Sequence, residues 1–103
     1  MPLPVRRRSV IMFGTDPDLL QLRSRFLQGH GYDVDTVSSL VDLADDLGQI
    51  GHTYELLFIS HTISAAGQKA ASNIAMRAGI PVYQLDTGIS PDEWLQELSR
   101  LLG

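Results

Sequence analysis

The chain has 103 residues, of which 44% are apolar and 19% charged, with no cysteine and a formal net charge of −4. This is the composition of one soluble domain, and without cysteine it excludes a disulfide framework, thiolate metal sites, iron–sulfur clusters and a cysteine nucleophile. Twelve acids against eight bases argue against a nucleic-acid groove, which needs a basic face to neutralise phosphates.

The amino end carries Arg6, Arg7 and Arg8 together, so residues 1–8 are expected to form a basic tail and residues 9–103 the folded domain. Ser9 to Phe13 is too short for the apolar region of a signal peptide and runs straight into Gly14-Thr15-Asp16-Pro17. No apolar stretch approaches the roughly 20 residues of a spanning helix, so no membrane contact is expected and the cytoplasm is the default compartment. Bounded by turn residues, Ser9 to Phe13 predicts a first strand buried on both faces.

Asp16-Pro17-Asp18 then starts a helix with an N-cap, a proline at the first position and an acid facing the dipole. Its apolar side is expected to hold Leu19, Leu22 and Phe26 with Leu20 and Leu27, and Gly29 or Gly31 to stop it. Tyr32 to Val37 alternates and predicts an edge strand with one polar face. Ser39 and Asp42 form a shortened capping box before Leu40, Leu43 and Leu47, a second helix ending near Gly48.

Tyr54 to Ile59 is the most apolar run and predicts a central strand stopping at Ser60. The alanine-rich stretch from Ser64 to Ala78 predicts a helix that packs closely and stops at Gly79. Ile80 to Leu85 predicts a fourth strand. Ser90-Pro91-Asp92-Glu93 is a capping box with proline at the first position, opening a last helix on Trp94, Leu95, Leu98, Leu101 and Leu102. Trp94 is the expected core anchor of that helix. Four strand-then-helix units imply parallel strands joined by right-handed crossovers, with helices on both faces.

The segment Val10-Ile-Met-Phe-Gly-Thr-Asp-Pro-Asp-Leu-Leu-Gln-Leu22, followed by Gly31-Tyr-Asp-Val and Tyr54-Glu-Leu-Leu-Phe-Ile59, resembles the receiver domain of two-component response regulators in order and texture. The likeness covers about residues 9 to 85, and Ser90-Pro-Asp-Glu-Trp-Leu resembles the start of a receiver's last helix. It implies a flavodoxin-like three-layer α/β sandwich with a parallel sheet of four strands, order 2-1-3-4, one strand–helix unit short of a full receiver. The spacing from Ser60 to Asp86 suits loss of the fifth strand and helix, whereas the tail suits loss of an internal unit.

Receiver chemistry uses two carboxylates after the first strand to hold Mg²⁺, an aspartate after the third as phosphoryl acceptor, a hydroxyl after the fourth and a lysine after the fifth. By resemblance the acidic pair falls on Gly14 and Thr15, the acceptor on Ser60, and the hydroxyl on Asp86, or on Thr87 after a slip of one. The lysine has no counterpart, since Lys69, the one lysine, lies in mid-helix. Asp16 matches a helix cap, and one carboxylate is a weak magnesium site. A serine cannot replace aspartate as acyl-phosphate acceptor without a base to activate it.

The resemblance therefore implies a pseudo-receiver that is not an enzyme and takes no cofactor or metal. It implies a protein partner, either a signalling kinase or regulator or a second copy of the chain. The competing expectation is a small-ligand or phosphate-binding site, or a small hydrolase, at the carboxyl ends of the strands, built from Thr15, Asp16, Ser60, His61 and Asp86. Against a Ser60–His61–Asp86 triad, adjacent residues of an extended segment point apart and no nucleophile elbow surrounds the serine. Asp86-Thr87-Gly88 matches the aspartic-protease triplet, but those folds are all-β and here it reads as a turn. His30, His52 and His61 are far apart in or beside loops and read as solvated.

Overall fold

The computed structural model describes residues 8–48, 54–85 and 90–102. Four strands and four helices alternate: β1 (Arg8–Phe13), α1 (Pro17–Gln28), β2 (Tyr32–Val37), α2 (Leu40–Gly48), β3 (Leu56–Ile59), α3 (Ala65–Ala78), β4 (Val82–Gln84) and α4 (Pro91–Leu102). The strands form one parallel sheet in the order β2-β1-β3-β4. β1 begins at Arg8, one residue before the apolar run, and that residue's side chain reaches the Leu102 carbonyl at the end of α4 and lies 3.8 Å from Glu55.

Side-chain alternation divides the core in two. Ile11, Phe13, Leu57 and Ile59 face α2 and α3, meeting Leu43, Ala71 and Ala75. Val10, Met12, Leu56 and Phe58 face α1 and α4, meeting Leu20, Leu27, Trp94 and Leu98. Val10, Ile11 and Met12 are wholly enclosed, as a strand covered on both faces requires. Trp94 is buried as expected, stacked on Phe26 at 5.8 Å and edge-on to Phe58 at 5.2 Å.

The helix starts follow the residues that mark them. Asp16 Oδ1 accepts from the Asp18 and Leu19 amides, Ser39 Oγ from Asp42, Ser64 Oγ from Gly67 and Ser90 Oγ from Glu93, each satisfying free first-turn donors. α3 stops at Gly79, whose φ of 74° closes the helix in the left-handed region that glycine enters without steric cost.

Two local expectations change. Leu22 was expected on the buried side of α1 but is 67% exposed. The buried stripe is Leu20, Ser24 and Leu27, at i, i+4 and i+7, and Leu22 lies about 200° round the helix from Leu20. β3 and β4 are shorter than their apolar runs: Tyr54 precedes β3 and packs into the α2/α3 side of the core, its hydroxyl donating to the Asp35 carboxylate. Leu85 lies past the end of β4, although its amide still bonds to the Ile59 carbonyl at 2.9 Å.

The position of α4 decides which unit is lacking relative to a five-unit receiver. A crossover helix leading to a further strand beyond β4 would lie on the α2/α3 face, by the same handedness that places α2 and α3 there. Trp94 and Leu98 instead pack on the α1 face, so α4 is a closing helix and the omitted unit is internal.

Candidate functional site

Neighbouring β1 and β3 send their following helices to opposite faces of the sheet. Ligands of open α/β sheets bind at such a switch point, outside the carboxyl ends of the strands. The residues at this one come from the turn after β1 and the turn after β3.

Gly14 follows β1, with its amide bonded to the Val37 carbonyl at 3.1 Å, and the Ser60 amide bonds to the Phe13 carbonyl at 2.8 Å. The first bond ties the end of β1 to β2, and the second ties it to the end of β3. A Cβ on Gly14 would lie 3.0 Å from Leu20 Cδ2 and 3.0 Å from Ser60 Cβ. Leucine's methyl can swing away, but the Ser60 Cβ is fixed to a backbone already bonded to β1. A side chain at this position therefore crowds Ser60, which would have to give by a few tenths of an ångström.

Ser60 is 2% exposed. Its Oγ lies 3.4 Å from the Thr62 amide, a turn closed by a serine hydroxyl two residues back, and 3.2 Å from Thr62 Oγ1. Thr62 Oγ1 in turn accepts from the Thr15 amide at 3.2 Å. From the second turn of α1, Arg23 Nη1 donates to Ser60 Oγ at 3.3 Å. Burial pulls the Arg23 guanidinium below arginine's usual value, yet a guanidinium so far above neutrality stays cationic. A half-buried cation and three hydrogen-bonding residues thus occupy the place where the receiver pattern has carboxylates.

The five residues of the ligand-site expectation separate. Thr15 and Ser60 are brought together through Thr62. Asp16 Oδ1 is taken up in capping α1. His61 is exposed while Ser60 is buried, so the neighbours point apart and form no dyad. Asp86, and with it Thr87 and Gly88, lies outside the described residues, as does His52. Among the described residues no group of three or more His, Asp and Glu could hold a metal ion, and no helix is long and apolar enough to cross a membrane.

Arg23 and Thr62 were not foreseen. Thr62 carried a signal, a hydroxyl two residues after a strand-ending serine. Arg23 lies three residues after Leu20 and four before Leu27, on the border of the buried stripe, from which a long side chain can reach the strand end. Nearby, a cleft of about 490 Å³ between α1 and the end of β2 is lined by Thr15, Gln21, Ser24, Thr36 and Ser38, all neutral.

No family model matches the sequence, and no curated protein matches it. Solved structures do. A two-component response regulator from Clostridium difficile superposes with a TM-score of 0.70 at 14% identity, over 93% of this chain and 96% of that one. A CheY-like response regulator receiver domain from Methanospirillum hungatei gives 0.68 at 12% identity, over 94% of both chains. A de novo designed Rossmann 2x2 protein gives 0.67 at 20% identity, over 95% of this chain and 92% of that one. At such identities the likeness speaks for the fold, and the chain has the flavodoxin-like fold of a response regulator receiver domain, built on four strand–helix units.

Proposed function

We propose that the chain is a pseudo-receiver: a receiver-type scaffold that does not transfer phosphoryl groups and serves as a protein-interaction module in two-component-type signalling of the bacterial cytoplasm. Its partner on this reading is a signalling kinase or regulator, or a second copy of the chain. The observation that carries it is the tight strand end, where a side chain on Gly14 would crowd Ser60 and Ser60 is held by the Arg23 guanidinium. A divalent cation would meet this positive charge where it needs two anionic oxygens. Ser60 Oγ is also buried and engaged as an acceptor, the reverse of what an attacking oxygen requires.

The test is exposure of the full chain to acetyl phosphate, and separately to beryllofluoride, with Mg²⁺, read by intact mass and by amide chemical shifts. The expected result is no added phosphoryl mass and no magnesium-dependent change around Ser60. A stoichiometric, Mg²⁺-dependent adduct would overturn the reading.

A further inference from the structure

We propose that the β1/β3 switch point is a carboxylate-binding site whose anchor is Arg23. This goes beyond the pseudo-receiver reading and does not depend on it. The argument is one of hydrogen-bond supply. Ser60 Oγ is approached by three donors, Arg23 Nη1, the Thr62 amide and Thr62 Oγ1, while Thr62 Oγ1 accepts from the Thr15 amide. Of the two hydroxyl protons, one can be shared between the oxygens, and the other has no acceptor among the described residues. Arg23 has four further N–H groups beyond the one it uses here.

Trp94 adds to the surplus. Among the described residues its Nε1 is a buried side-chain donor without a partner. Phe58, which meets the indole edge-on, precedes Ser60 by two residues, so both side chains point to the α1/α4 face. Buried donors normally find acceptors, and among the described residues none is placed for this one.

The missing acceptor is also missing as a charge. Arg23 is half-buried, and among the described residues its side chain meets only a neutral hydroxyl. On α1 the positions three and four residues from Arg23 are Leu19, Leu20, Phe26 and Leu27, so no helical neighbour can serve as counterion. A planar guanidinium with hydroxyls beside it matches the two oxygens of a carboxylate. A single cation also suits a monoanion: a phosphate dianion would leave a charge uncompensated near Asp16 and Asp18 on an acidic chain.

The experiment follows the Arg23 Nε–H and Trp94 indole N–H resonances of the ¹⁵N-labelled full chain, at constant ionic strength set with chloride. Sodium acetate, N-acetyl-glutamate amide and inorganic phosphate are the titrants. Saturable shifts of Arg23 with acetate or the blocked glutamate are expected, weaker with phosphate. The tighter of the first two tells whether the natural ligand is a free acid or a side chain borne on protein. Arg23→Gln should abolish the shifts while the amide spectrum stays folded, and Arg23→Lys, which keeps the charge but loses the fork, should weaken binding roughly tenfold. Non-saturating shifts, shifts that persist in Arg23→Gln, or tighter binding of phosphate would each overturn the proposal. So would an Arg23 resonance already displaced in the free protein and released by Asp86→Asn, because the carboxylate would then be the chain's own.

Discussion

Gly14→Ala tests the closed strand end with one carbon atom. The new Cβ would meet Leu20 Cδ2 and Ser60 Cβ at 3.0 Å each, and only the first can yield. Overpacking a tight site costs about 1–3 kcal/mol. Against this, alanine restricts the unfolded chain and stabilises by about 0.4–1 kcal/mol where the backbone accepts it. Gly14 is not among the glycines with positive φ, so that gain applies. The net expectation is a loss of about 1–2 kcal/mol, a fall in Tm of roughly 5–15 °C for a domain of this size. Gly48→Ala is the matched control: it ends α2, a Cβ there meets nothing within 4 Å, and helix propensity predicts a gain of about 0.5–1 kcal/mol. Thermal melts followed by circular dichroism, with urea midpoints for both variants, supply the readout. If Gly14→Ala melts at or above the parent while Gly48→Ala behaves as expected, the strand end has room for a side chain and the steric argument against a metal-holding carboxylate fails.

The corrected face of α1 predicts a contrast between near neighbours. Leu20→Ala should destabilise by about 2–5 kcal/mol, as for other buried leucines, whereas Leu22→Ala should stay within about 0.5 kcal/mol, and urea denaturation of the two compares them directly. Tyr54 gives a pH signature: burial first, then the hydrogen bond to Asp35, pushes its hydroxyl well above tyrosine's ordinary value of 10.0. The unfolded chain then loses this proton at a lower pH than the folded one, so the stabilisation is complete below pH about 10 and is lost as pH rises beyond it. Urea midpoints between pH 9 and 11 should fall less steeply in Tyr54→Phe than in the parent, and equal slopes would show that Tyr54 does not carry the effect.

The element order was legible because its signals are local. Asp16-Pro17, Ser39, Ser64 and Ser90-Pro91 each mark a helix start through a hydrogen bond spanning two or three residues, and each is found there. The strand order followed from the resemblance and the crossover rule together. What the sequence concealed was set by contacts distant along the chain. The face carrying Leu22 depended on which side of α1 meets Met12 and Phe58, and five leucines or phenylalanines in nine residues leave that rotation open. Arg23 carries no local signal, because its partner, Ser60, lies 37 residues away. The location of the missing unit was likewise hidden until α4 could be seen beside α1.

Placing α4 on that face also leaves β4 as the outer strand of the sheet, a role that exposes backbone donors and acceptors to other molecules. Such an edge invites chain-to-chain strand pairing and fibre growth. Here β4 is only three residues long and is preceded by Pro81, which has no N–H to offer, while the opposite edge, β2, carries Asp33 and Asp35. The brevity of β4 thus helps make a four-stranded version of this sheet tolerable at high concentration: lengthening its outer strand should promote aggregation even where it strengthens the fold.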